Sequence, residues 1–133
     1  MWGMALRISS EISRQLKVWA DEADPNECCG LIFGDESSVQ NVELTRNMSA
    51  SPATNFEIDP ERLIAAEKLN RSGEKCLLGY FHSHPNGTAI PSQTDAAMAT
   101  CDGRFWLIIA AGQITAWELS TDSKFLEQEL VFE

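Results

Sequence analysis

The two histidines of the chain, His82 and His84, stand two residues apart at the exit of a compact apolar run, Cys76 to Phe81. In extended backbone, residues i and i+2 project to the same face, so both imidazoles converge on one point, and two neutral ring nitrogens suit Zn2+. Asp95 follows His84 after ten intervening residues and supplies a third ligand if a helix start carries it back to the strand end. Two histidines and one aspartate leave one position of a tetrahedral zinc open, the pattern of a catalytic rather than a structural site. Each part also has a plainer reading. Paired histidines occur on strands without a metal, and Ser92-Gln93-Thr94-Asp95, ahead of Ala96-Ala97-Met98-Ala99, reads as a helix capping box. Cap and ligand are compatible roles, because a capped helix start is a rigid mount.

Zinc lowers the pKa of a bound water to about 7, but peptide hydrolysis also requires a carboxylate that takes the proton and passes it to the leaving amine. Glu27 is the candidate, just before a glycine-bounded apolar stretch, Cys29-Gly30-Leu31-Ile32-Phe33-Gly34. By itself it reads equally as an exposed loop acid.

The elements that must position these residues are legible from periodicity. Residues 4 to 8 read as a short strand, and Ser9-Ser10 offers an N-cap to a helix whose stripe is Ile12, Leu16, Trp19, Ala20 and Ala23. Asp24-Pro25-Asn26 ends it. Cys29 to Gly34 and Val39 to Arg46 predict an antiparallel hairpin around the turn at Asp35 to Ser38, followed by a polar loop over 47 to 55. Asp59-Pro60 starts a second helix, which runs to about Arg71 and stops at Ser72-Gly73. Cys76 to Phe81 is a buried strand that leads directly into His82. Pro91-Ser92 opens a third helix through about Thr100, and Phe105 to Ala111, Thr115 to Leu119 and Phe125 to Phe132 read as further strands. The order predicts an α/β fold (or, in the other usage, α+β), a mixed β-sheet flanked by helices, with residues 1–133 forming a single domain.

A net charge of -10, from 20 acidic and 10 basic residues, repels phosphate backbones and anionic lipid, so neither nucleic acid nor a membrane surface is expected as a partner. The acidity reads first as surface solubility and second as complementarity to a basic protein. The opening Met1 to Arg7 reaches charge too early for the apolar region of a signal peptide, and a cytoplasmic location is expected. Cys28, Cys29, Cys76 and Cys101 match neither a disulfide framework nor a paired Cys-x-x-Cys site. Reduced thiols are expected, with Cys28 and Cys29 on opposite faces of their strand rather than forming a redox pair. Trp106 and Trp117 read as core or cleft wall.

His82-Ser83-His84-Pro85, six further residues, then Ser92 and Asp95, stand at the spacing of the JAMM (MPN+) signature, His-x-His-Pro, six residues, Ser-x-x-Asp. Glu27-Cys28-Cys29-Gly30-Leu31-Ile32-Phe33-Gly34 resembles the upstream Glu-x-Cys-Gly-x-Leu-x-Gly stretch of that family's prokaryotic, JAB-like branch. The resemblance spans nearly the whole chain. It implies a cytidine deaminase-like sheet and a zinc metallopeptidase or isopeptidase, with His82, His84 and Asp95 as metal ligands, Glu27 as general acid/base and Ser92 as an oxyanion donor. Deaminase chemistry itself is not expected, since His-x-Glu and Pro-Cys-x-x-Cys are missing. It implies as substrate a protein or peptide, such as the C-terminal tail of a ubiquitin-like or sulfur-carrier protein. Only ten residues separate Asp95 from Trp106, so the long insertion that grips ubiquitin in some relatives is not expected. The alternative reading is a non-catalytic MPN-type scaffold that keeps its zinc site for stability.

Overall fold

Caps and apolar stripes place the two long helices where the sequence predicts them. The computed structural model describes residues 5–98, 102–120 and 124–133. After β1 (Leu6–Ile8), the Ser9 side chain accepts a hydrogen bond from the Ile12 amide and opens α1 (Ser10–Ala23). The hairpin strands follow as β2 (Cys29–Asp35) and β3 (Ser38–Thr45). Asp59 caps α2 (Pro60–Ser72), and Gly73, in the left-handed conformation at φ 81°, ends it. The ligand-bearing strand is β4 (Cys76–Ser83), and α3 (Gln93–Met98) comes next. The chain continues through β5 (Phe105–Ala110), β6 (Gln113–Leu119), β7 (Phe125–Gln128) and β8 (Leu130–Phe132). Met4 of the first predicted strand, Ala99 and Thr100 of the third predicted helix, and Cys101 lie outside the described residues.

The eight strands make one mixed sheet in the order β7-β6-β5-β4-β2-β3-β1-β8. In its middle, β2 runs antiparallel to β3 and β4, while β4 runs parallel to β5. The predicted stripe of α1 packs on one face, with Leu16 and its neighbours Ile12, Trp19, Ala20 and Ala23 against Ile32, Phe81 and Leu107. On the other face Ala66 and Leu63 of α2 meet Leu31, Phe33 and Leu77. Central strands covered on both faces must be apolar throughout, which is why β2 and β4 read as runs rather than alternations. Gly30 has no room for a β-carbon, which would collide with the Glu43 carbonyl and the Phe81 ring.

One expectation fails. Phe125 to Phe132 is not one strand but two, broken at Glu129, and the halves pair with opposite ends of the strand order. Phe125 packs with the Trp106 cluster, whereas Leu130 packs with the cluster holding Leu6 and Ile8. Since two residue steps span at most about 7 Å, the sheet must curl until its two ends meet at Glu129, whose carbonyl accepts from the Leu6 amide at 2.9 Å. Alternation within the segment carries no information about such a change of partner.

Candidate metal centre and adjoining cleft

His82 is the penultimate residue of β4, paired in register with Cys29 of β2 and Ile108 of β5, and it is fully buried. His84 follows one residue past the strand, its amide still bonded to the Ile109 carbonyl at 2.9 Å. The extension of strand geometry by that bond puts both imidazoles on one side: their Nε2 atoms are 3.0 Å apart. Ser83, between them, points the other way, and its hydroxyl accepts from the Cys28 amide at 2.8 Å. The Ser83 amide returns a bond to the Cys28 carbonyl at 3.0 Å. The middle residue of His-x-His therefore fastens the segment that carries Glu27.

The loop after His84 is folded back by two contacts, the second itself braced by a neighbouring tryptophan. His84 Nδ1 donates to the Thr88 carbonyl at 2.7 Å. Thr115 Oγ1 donates to the Ala89 carbonyl at 2.6 Å and accepts from Trp117 Nε1 at 2.8 Å. The chain then turns into α3, where the Ser92 amide donates to Asp95 Oδ2 at 2.9 Å and the Asp95 amide donates to Ser92 Oγ at 3.0 Å. The predicted capping box is formed, and the same Oδ2 lies 3.1 Å from Nε2 of His82 and 3.1 Å from Nε2 of His84.

The donor set fits zinc. His84 directs its Nδ1 hydrogen at Thr88, so loss of the Nε2 proton on metal binding presents a lone pair at Nε2. That lone pair, the second imidazole and a carboxylate oxygen converge within 4.8 Å of one another, among buried residues. Two nitrogens and one oxygen drawn this close suit a divalent cation. Burial lowers the pKa of His82 and keeps it neutral, as a ligand must be. Burial alone would raise the pKa of Asp95, but its bonds with His82 and His84 outweigh that and hold the carboxyl well below its ordinary range. His82, His84 and Asp95 thus form a zinc-binding triad of JAMM type.

Glu27 is 6% exposed, and its Oε1 has no hydrogen-bond partner among the described residues. Its amide donates to the Pro52 carbonyl at 2.8 Å, and its carbonyl accepts from Asn47 Nδ2 at 3.1 Å. Burial raises its pKa to about 7, an effect that the nearby His84 opposes and the Asp95 charge reinforces. Glu27, His84 and Ser92 line one open cleft of about 360 Å3 together with Ala53, Thr54, Pro85 and Thr88. Glu27, His82, His84, Ser92 and Asp95 are therefore in or against a single site, with Ser92 exposed at its rim.

The loop over 47 to 55 carries no chemistry-bearing pattern in the sequence, yet it is fastened to the site. Asn47 Oδ1 accepts from the amides of Ser49 and Glu57, while its Nδ2 also donates to the Asn55 carbonyl at 3.0 Å. Phe56, held between these bonds, lies with its ring centroid 4.3 Å from that of His82. Its signal in the sequence is a phenylalanine directly after the polar loop, three residues before a helix cap. Trp106 stands edge-on to His82 within the core, as a core reading anticipates, and Cys28 and Cys29 sit in separate core clusters on opposite faces. Cys28, Cys29 and Cys76 are free thiols. Among the described residues no helix is long and apolar enough to cross a membrane.

The chain is similar to a desampylase of Pyrococcus furiosus, 36% identical over 108 residues that cover 80% of this chain and 76% of the relative. It is also similar to a probable TtuB-protein conjugate cleaving protease of Thermus thermophilus, 34% identical over 94 residues that cover 70% and 62% of the two chains. A protein of Desulfitobacterium hafniense, solved in solution, superposes with a TM-score of 0.82 at 28% identity, covering 96% of this chain and 92% of that one. The family described as prokaryotic homologs of the JAB domain matches residues 9–120, and with the triad in place the chain belongs to it, within the JAMM metalloproteases.

Proposed function

We propose that this protein is a cytoplasmic zinc-dependent isopeptidase that cleaves conjugates at the C-terminal tail of a ubiquitin-like or sulfur-carrier protein, its 133 residues forming one catalytic domain. The observation that carries this reading is the unpartnered Oε1 of a buried glutamate sharing one cleft with His84 of the triad. A scaffold has no use for such a carboxylate, whereas hydrolysis does. Bound zinc would supply Lewis acidity, lowering the pKa of a water molecule and polarising the scissile carbonyl. Glu27 takes one proton from the water as its oxygen bonds to the carbonyl carbon. It then delivers that proton to the nitrogen as the carbon–nitrogen bond breaks, releasing an amine and a carboxylic acid, which ionises by giving the second water proton to solvent. A carboxyl whose pKa is about 7 serves both transfers near neutrality. Ser92, at the rim, donates its hydroxyl hydrogen to the negative charge that develops on the carbonyl oxygen while its Oγ still accepts from Asp95.

The names of the two relatives support the substrate class, one being a desampylase and the other a probable protease of TtuB-protein conjugates. The test is incubation of zinc-loaded protein with a lysine-linked conjugate of a ubiquitin-like protein, read by mass spectrometry. Release of the intact tail with a free carboxylate is expected. Full zinc occupancy without cleavage of any conjugate or peptide would turn the reading towards the scaffold.

A further inference from the structure

A ligating imidazole is ordinarily aimed by a hydrogen bond from its second ring nitrogen, which fixes both the tautomer and the ring angle. His84 obeys this, through Nδ1 and the Thr88 carbonyl. His82 does not. It is fully buried, yet its Nδ1 has no hydrogen-bond partner among the described residues. Its ring is confined by other rings. Phe56 lies nearly parallel to it, with an interplanar angle of 17° at 4.3 Å between centroids, and Trp106 stands at 87° and 5.5 Å.

Trp106 comes from the neighbouring strand, but Phe56 comes from a loop, so something must hold it there. Asn47 does so on both sides: its Nδ2 donates to the carbonyl of Asn55 and its Oδ1 accepts from the amide of Glu57, the two residues that flank Phe56. The same side chain donates to the carbonyl of Glu27. One asparagine thus ties the stacking ring and the acid/base candidate to a common frame.

We propose that Phe56 is the positioning residue for His82: its ring face replaces the absent hydrogen bond, and the Asn47 clamp keeps that face in place. Stacking restrains the tilt of an imidazole while leaving Nε2 directed at Asp95 and His84. The inference rests on the zinc site and not on the choice of substrate, so it is read without any substrate present.

The experiment is a chelator competition for zinc on wild-type protein, Phe56→Leu, Phe56→Tyr and Phe33→Leu. Phe33 is a buried ring of the α2-facing cluster remote from the triad, and its variant measures what loss of a core ring does to affinity through stability alone. Phe56→Leu should bind zinc roughly 10 to 100-fold more weakly, the usual cost of losing an outer partner of a ligand. Phe56→Tyr keeps the ring and should restore affinity close to wild type, and Phe33→Leu should lose stability but not affinity. Wild-type affinity in a folded Phe56→Leu protein, or an equal loss in Phe33→Leu, overturns the proposal. Should Phe56→Leu fail to fold, the zinc-loaded wild-type protein decides by NMR: the His82 ring protons, lying over an aromatic face, should be shifted upfield, and unshifted signals overturn it. A wild-type protein that takes up no zinc removes the metal site itself and this inference with it, whereas zinc uptake without cleavage would touch only the function.

Discussion

Ser92 and Asp95 bind each other reciprocally, amide to carboxylate at 2.9 Å and amide to hydroxyl at 3.0 Å, and the carboxylate oxygen so engaged is the one that faces both histidines. Helix cap and metal ligand are one arrangement. Its first consequence is that Ser92→Ala should act twice: about 0.5–2 kcal/mol of stability lost with the cap and turnover lowered about a hundredfold or more with the oxyanion donor. Ser92→Thr should keep most of both. Thermal unfolding and kcat on one preparation separate the two effects, and an alanine variant with full kcat would remove Ser92 from the chemistry.

Glu27 should trade stability for function. Its pKa is about 7 in the folded protein against an ordinary value of 4.5, so the folded state favours the protonated form. Stability from this source is complete below 4.5 and is lost as pH rises through 7. In metal-free protein Glu27→Gln should therefore be the more stable above neutrality, by up to about 3 kcal/mol, with the gap closing in acid. Denaturant unfolding across that range is the measurement, and an equal stability of the two proteins at every pH would show that the carboxylate is solvated after all.

Asn47→Ala should loosen the loop that lines the cleft. It frees two amides and leaves the carbonyls of Glu27 and Asn55 without their donor. A loss of about 2–3 kcal/mol is expected for a part-buried network of this size, with faster hydrogen exchange at the Glu57 amide. Unchanged exchange there would mean that the Met48 and Glu57 backbone pairing holds the loop without the side chain.

What the sequence made legible was whatever repeats locally. The stripe of α1, the apolar runs of β2 and β4 and the cap at Asp59 are periodic or positional signals, and the structure follows them within a residue or two. His82 and His84 needed only strand alternation to be brought together, and Asp95 only the cap that Ser92 provides. The rest depended on distant partners. Nothing local in Phe125 to Phe132 says that the sheet curls and that the chain changes neighbours at Glu129. Nothing local in Asn47 says that its amide meets Glu27, twenty residues earlier, or that Phe56 covers His82. Those are tertiary contacts of side chains with no periodicity to betray them.

That the triad holds zinc and Glu27 moves the proton is tested most directly by measuring zinc content and conjugate cleavage together in wild type, Glu27→Gln and His82→Ala. Glu27→Gln should keep its zinc and lose turnover by a factor on the order of a hundred or more, and His82→Ala should lose both. A metal-free His82→Ala protein that cleaves at the wild-type rate, or a Glu27→Gln protein with undiminished turnover, would contradict the account.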